Sequence, residues 1–271
     1  MIPKCNLHAH TQFCDGKNTA EEMVLGAIAS GCEVLGFSSH SPLPFDNDWS
    51  MTEASVLQYR AEVLRLKEKY KDQIDVLLGI EYDSFSVCSK EGYDYILGSV
   101  HHVCKDGTYI PVDCDLTLVT AEVERLFGGN YLAYACEYYE QMYTLKKNTN
   151  CNIVGHFDLL TKYNEDGITI DELSPIYRDA ALSALDAVLK DDLIIEINTG
   201  AISRGYRKTP YPAPFILKFI SERKGRVMLN SDSHAANTVL YFYKEAVEYA
   251  KSCGIKELTI YQNGKFVPFA I

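Results

Sequence analysis

Short apolar stretches of strand length alternate with longer stretches of helical spacing along most of this chain, and that alternation narrows its fold more than any other feature. Strands are predicted at Lys4–His10, Glu33–Ser39, Asp75–Glu81, Asp94–Val100, Asn152–His156, Leu193–Asn198 and Arg226–Ser231. Helices are predicted at Ala20–Ser30, Thr52–Tyr70, Leu116–Phe127, Tyr131–Lys147, Ser174–Lys190, Pro214–Arg223 and Val239–Cys253. Runs such as Leu193-Ile194-Ile195 suit strands covered on both faces, the condition of parallel βαβ units. Seven such units are one short of a regular eight-unit barrel, so the expected architecture is α/β, an incomplete or distorted barrel. Asn263-Gly264 separates two further strand-like runs and signals a terminal hairpin. No repeat or linker divides residues 1–271, which are expected to form a single domain.

Two polar, turn-rich segments, Ser84–Gly92 and Lys105–Asp115, interrupt the alternation and are expected to be loops over the barrel mouth. The tyrosine-rich stretch Tyr131–Tyr143 has helical spacing, and packing against the barrel exterior is its expected role.

The polar residues at the strand ends carry the chemical signal. His8 and His10, two apart on a strand, project to one side, and Asp15 follows in a turn that Gly16 allows to close tightly. The second strand ends in His40, the third in Glu81, the fourth in His101 and His102, the fifth in His156 and Asp158, and the seventh in Asp232 and His234. All seven histidines of the chain fall at or beside strand C-termini. In a parallel barrel these ends share the face that carries active sites. Histidine with carboxylate, and no thiolate, suits zinc, iron or manganese.

Nine candidate ligands stand at those ends: His8, His10, Asp15, His40, Glu81, His101, His156, Asp232 and His234. They exceed the needs of one ion. A carboxylate such as Glu81 bridges two ions through its two oxygens, so the count points to a multinuclear centre of two to three divalent metals. Adjacent metals activate water and neutralise phosphoryl oxygens under in-line attack, which makes phosphate-ester hydrolysis the expected chemistry. Metal-dependent amide or ring hydrolysis is the other class such ligand sets support.

Composition removes several alternatives. The net charge is −11, and no basic run offers the clustered cations of a nucleic-acid groove. No apolar run reaches the roughly 18 residues of a membrane span, and no signal-peptide pattern opens the chain. Nine scattered cysteines, an odd number without a Cys-x-x-Cys, argue against a disulfide framework and fit a cytoplasmic protein. A small-molecule phosphate monoester is the expected partner.

In order along the chain, His8-x-His10, Asp15-Gly16, Ser39-His40, Gly79-Ile80-Glu81, Gly98-Ser99-Val100-His101, Gly155-His156 and Ser231-Asp232-Ser233-His234 resemble the motifs of the PHP (polymerase and histidinol phosphatase) family. The length, together with Gly98-Ser99-Val100-His101 and Asn198-Thr199-Gly200, resembles the stand-alone histidinol-phosphatase branch. The resemblance implies a distorted (β/α)7 barrel with a trinuclear metal centre. One ion would take His8, His10, Glu81 and Asp232, a second Glu81, His101 and His156, and a third Asp15, His40 and His234. Asp15 stands where some members have histidine, which shifts the expected preference toward iron or manganese.

The implied reaction is hydrolysis of L-histidinol phosphate to L-histidinol and phosphate in histidine biosynthesis. In the expected mechanism, hydroxide between the ions sharing Glu81 attacks phosphorus, and His102, Asp158 or a metal-held water protonates the leaving alkoxide. Arg204 is the leading candidate for the phosphate clamp, followed by Lys162, with Arg207 and Lys208 further along the same loop as Arg204. His102 is also a candidate substrate contact, and Asp94 or Glu196 would face the substrate ammonium unless engaged in structural hydrogen bonds. A nucleotide or oligonucleotide phosphoesterase, and a non-catalytic metal-binding regulatory module, are the rival readings.

Overall fold

A computed structural model describes residues 1–45, 48–165 and 167–271. Its strands are β1 (Cys5–Asn6), β2 (Val34–Phe37), β3 (Asp75–Asp83), β4 (Tyr95–Ser99), β5 (His102–Lys105), β6 (Thr108–Pro111), β7 (Ile153–Val154), β8 (Ile194–Asn198), β9 (Val227–Asn230), β10 (Glu257–Gln262) and β11 (Lys265–Ala270). The helices are α1 (Ala20–Ser30), α2 (Glu53–Tyr70), α3 (Leu116–Phe127), α4 (Tyr131–Glu140), α5 (Met142–Thr149), α6 (Pro175–Lys190), α7 (Gly200–Ser203), α8 (Pro214–Arg223) and α9 (Tyr243–Ser252). Seven strands form one parallel sheet in the order β1-β2-β3-β4-β7-β8-β9, curled into a nearly closed barrel.

The seam between β1 and β9 closes by side chains as much as by main chain. The Asn230 Oδ1 accepts from the Leu7 N–H at 2.8 Å, and the Asn6 Oδ1 accepts from the Ser231 N–H at 3.0 Å. Beyond them, the His10 N–H donates to the Ser233 carbonyl at 2.8 Å and the Ser233 N–H to the His8 carbonyl at 3.0 Å. This explains why the regular ladder of β1 is shorter than the predicted Lys4–His10. Leu7 to His10 stays extended, but asparagine and serine side chains take over part of its hydrogen bonding.

Inside the barrel, Leu7, Leu77, Tyr95, Leu97, Ile153, Ile194 and Met228 form a core of their own. Tyr261 and Phe266 of the β10–β11 hairpin pack onto it and cover the N-terminal end of the strands. The Tyr95 hydroxyl lies across the interior and donates toward the carbonyls of Leu7 at 2.6 Å and Phe37 at 2.9 Å. Room for the ring comes from two glycines: a Cβ on Gly36 would lie 2.4 Å from the Tyr95 hydroxyl, and one on Gly79 would lie 2.2 Å from its ring. A second, larger cluster fills the layer between barrel and helices, and Tyr134, Tyr138 and Tyr139 of α4 are buried in it as packing residues.

Three differences from the sequence reading have local causes. The helix predicted across Tyr131–Lys147 breaks at Gln141, whose side chain turns back to donate to the His102 carbonyl at 2.9 Å. The segment predicted as loop from Lys105 to Asp115 contains β6, which pairs antiparallel with β5 as a hairpin. The last helix starts at Tyr243 rather than Val239, because Phe242 adopts a left-handed conformation with φ of 63°.

Gly79→Ala should destabilise the fold by about 1–3 kcal/mol, as overpacking of a filled core does. Denaturant titration would measure this, and combining it with Tyr95→Leu should cost less than the sum of the single changes.

Candidate metal centre

All nine candidate ligands gather at the C-terminal ends of the strands. They form four overlapping groups: His10, Asp15, His40 and His234; His8, His10 and Asp232; His8, Glu81 and His156; and His40, Glu81 and His101. Within each group the ligand atoms lie within 4.8 Å of one another. Glu81 joins them. Its Oε1 faces His101 Nε2 at 3.2 Å and His156 Nε2 at 3.0 Å, while its Oε2 faces His8 Nε2 at 3.2 Å, His10 Nε2 at 3.5 Å and His40 Nδ1 at 2.9 Å.

Local structure sets these directions. His8 and His10 share a side of the extended first strand, their ring centroids 5.1 Å apart. Gly16 abuts the backbone of the same turn: a Cβ there would come within 2.5 Å of the Thr11 nitrogen. Asp232 sits at φ of 47°, a left-handed conformation that aspartate tolerates better than most residues and that is characteristic of functional sites. A Cβ on Gly200 would strike the Asp232 carboxylate at 2.6 Å, so the small residue after β8 makes its place.

Behind the ligands stand residues that sequence reasoning gave no part in the centre. Asp83 Oδ2 accepts from the His101 ring at Nδ1, 3.0 Å away, and Ser99 donates to Glu81 Oε1 at 2.6 Å. Both lie within the strand-end motifs, so their position was visible in the sequence while their partners were not.

The electrostatics are those of an anionic, buried pocket. Burial works against ionisation of Glu81 and Asp232. The surrounding histidines, and Arg204 for Asp232, outweigh it and hold both carboxyls well below their ordinary range. Burial likewise opposes charge on His8 and His101, but Glu196, Glu81 and Asp232 around the one, and Glu81 and Asp83 around the other, raise both well above the usual histidine value. His10 goes the other way, down to about 3, through burial and the neighbouring His234 and His40.

Divalent cations fit these residues. Buried atoms of His8 (Nε2), His10 (Nε2), His40 (Nδ1) and Glu81 (Oε2) have no hydrogen-bond partner, although they lie within ion-pair distance of one another across Glu81. Unpaired buried polar atoms converging on one space require a further group to satisfy them. Oxygen and imidazole donors without sulfur suit zinc, manganese or iron.

The centre forms one wall of a cavity of about 520 Å³. Arg204, Lys162 and His102 line it, as expected. The Arg204 guanidinium donates to the Asp232 carbonyl at 3.1 Å and carboxylate at 3.0 Å, and approaches His234 Nδ1 at 2.7 Å. The sequence reading did not single out Asp113, Trp49 or Tyr206, which also line the cavity. Asp113 comes from the segment after β6 and faces the Lys162 ammonium at 3.4 Å.

Five expected candidates are not brought to the cavity. Asp94 precedes β4 and therefore sits at the opposite end of the barrel, bound to Lys67 and to the Leu78 N–H, each at 2.8 Å. Asp158 is completely buried and does not line the cavity. It accepts the Ala213 N–H at 2.8 Å, and burial pushes its carboxyl up to about 6. Arg207 turns away to Thr161 and the face of Tyr211, and Lys208 points to solvent. Glu196 is also sealed from the cavity and bonds inward, so its part is structural and not contact with a substrate ammonium.

The sequence model of the PHP domain matches residues 6–200. The chain belongs to the PHP domain family. The probable histidinol-phosphatase of Schizosaccharomyces pombe is 29% identical over 278 residues, spanning 95% of this chain and 89% of its own. That of Deinococcus radiodurans is also 29% identical, over 99% of this chain and all of its own. Among solved structures, the histidinol phosphate phosphatase of Lactococcus lactis, complexed with Zn, L-histidinol and phosphate, superposes with a TM-score of 0.71 at 22% identity, over 98% of this chain and 100% of that one. The barrel is thus a PHP-type barrel with seven parallel strands. Among the described residues, no helix is long and apolar enough to cross a membrane.

Glu81→Ala should strip metal from the protein and leave circular dichroism unchanged, because Glu81 faces ligands of several groups and little of the packing core. Adding Zn²⁺ to metal-free protein near neutral pH should release protons, since the cation displaces those held on His8 and His101. Apparent affinity should therefore rise with pH. A pH-stat titration would measure both.

Proposed function

We propose that the protein is a metal-dependent phosphomonoesterase that hydrolyses L-histidinol phosphate to L-histidinol and phosphate. One observation carries the reading: a centre able to hold several cations shares a single cavity with Arg204, Lys162 and a carboxylate, Asp113, outside the ligand groups. The overall likeness to curated histidinol-phosphatases supports the same substrate. Divalent cations, when bound by the nine ligands, would supply Lewis-acid stabilisation of phosphoryl oxygens and activate water at neutral pH.

The chain's own residues account for binding and orientation. Arg204 uses three of its five N–H donors on Asp232 and His234, which anchors the guanidinium beside the centre with donors to spare for phosphate. Lys162 is largely buried and held by the Asp113 carbonyl and over the Tyr206 ring at 4.5 Å, so its charge is fixed in the cavity wall. Asp113 is kept ionised against its burial by Lys162, His101, His156 and Arg204. A carboxylate in the cavity wall, Asp113, favours an amino-alcohol phosphate over a nucleotide, whose remaining surface carries no compensating cation. Of the two side chains expected as proton donors to the leaving alkoxide, His102 lines the cavity and Asp158 does not.

A kinetic panel of L-histidinol phosphate against nucleoside monophosphates tests the assignment; a tenfold or greater preference for the nucleotides overturns it. Hydrogen bonds to charged groups contribute about 1.5–3 kcal/mol, so Arg204→Ala should lower kcat/KM by about 10- to 100-fold. Metal content should stay unchanged, because Arg204 is a neighbour of the ligands and not one of them.

A further inference from the structure

Glu196 lies on β8, completely buried beneath the ligand cluster. Its Oε1 accepts from His8 Nδ1 at 2.7 Å and Asn230 Nδ2 at 3.0 Å, and its Oε2 from the His156 main-chain N–H and Asn198 Nδ2, both at 2.8 Å. All four acceptor positions of the carboxylate are thereby used. The donors come from β1, β7, β8 and β9 or the turns that follow them, and β1 and β7 are not neighbours in the sheet.

We propose that Glu196 is the positioning residue that makes His8 an Nε2 ligand and ties the His8 side chain and the His156 main chain to one fixed group. This role for Glu196 rests on the cluster being a metal centre and not on which phosphate ester is cleaved. An ionised carboxylate only accepts hydrogen bonds, so the bond at His8 Nδ1 places a proton on that nitrogen. The Nε2 lone pair is then left for a cation in the space shared with Glu81 Oε2, 3.2 Å away, and Asp232 Oδ1, 3.5 Å away. A carboxylate behind a ligating histidine fixes its tautomer, orients its ring and raises its basicity. Asp83 stands behind His101 in the same way, but Glu196 differs in reach. It serves a ligand side chain on one strand and the backbone of a second ligand on a non-adjacent strand.

Glu196→Gln isolates this role, because the amide keeps the size of the carboxylate but offers one acceptor oxygen. At most two of the four donors then find an acceptor. An amide N–H turned toward His8 drives its proton onto Nε2, the nitrogen the centre needs free.

The test is calorimetric titration of metal-stripped protein with Zn²⁺, with elemental analysis of the product. It is run for Glu196→Gln and the native chain, each with and without Asp15→Asn, which removes the Asp15–His40–His234 contribution. Expected is a roughly 10- to 100-fold weakening at the groups containing His8, with binding that depends on Asp15 unchanged. Unchanged binding throughout overturns the proposal. Equal weakening of every group also overturns it, since that is the mark of general destabilisation. A second measurement needs no variant at Glu196. In the Zn²⁺-loaded native protein, the long-range ¹H–¹⁵N spectrum of His8, assigned by comparison with His8→Gln, should show the Nδ1–H tautomer, and an Nδ1-ligated ring overturns the proposal. Neither readout uses a substrate, so absence of L-histidinol phosphate hydrolysis counts against the proposed function alone.

Discussion

Everything at the metal centre depends on the seam between the first and last barrel strands. Four of the nine ligands, His8, His10, Asp232 and His234, flank that seam and meet only if the barrel comes round far enough to close it. Seven strands do so without a full ladder between β1 and β9, and Asn6 and Asn230 bridge the gap with reciprocal side-chain-to-backbone bonds. Both asparagines are completely buried. An unpaired amide there would cost the desolvation of its polar atoms, so the pairing specifies register as well as closure. The same Asn230 donates to Glu196, which in turn holds His8. Barrel closure and ligand orientation are parts of one hydrogen-bonded network.

That network contains an electrostatic load that protein groups alone do not balance. Glu81, Asp232, Asp83 and Glu196 are buried carboxyls that each face at least one ligand histidine, and Arg204 is paired with Asp232. In the metal-free protein, protons on His8 and His101 supply the missing positive charge. Divalent cations do so more effectively, because they satisfy several buried lone pairs at once. Ligand selection follows from this competition. Nitrogen atoms whose second ring position is engaged by a carboxylate have one direction left in which to bind.

The cavity adds a second asymmetry. Cation-binding residues and Arg204 occupy one side, and Lys162, Asp113, Trp49 and Tyr206 shape the rest. Much of that second half comes from the β5–β6 hairpin and the segments after β7 and β8, not from the strand ends. Loops that shape a pocket need no particular ligand chemistry, so they differ from the strand ends in carrying little signal in the sequence.

The distribution of legible and illegible features follows from range. Helices such as Ala20–Ser30 and Pro214–Arg223 announce their limits by caps, proline and periodicity, all local properties, and their boundaries were readable to the residue. The ligands were readable because a parallel sheet converts a position along the chain, the end of a strand, into a position in space. By itself the sequence therefore determined the α/β alternation, the residue types of the centre and the face on which they meet. Tertiary structure alone decided the rest. It turned Asp158 inward to Ala213. It paired Asp83 with His101 and brought Glu196 under His8, 188 residues away in sequence. Each of those outcomes depends on which way a side chain faces across the barrel interior, and strand periodicity fixes that only once register and closure are set.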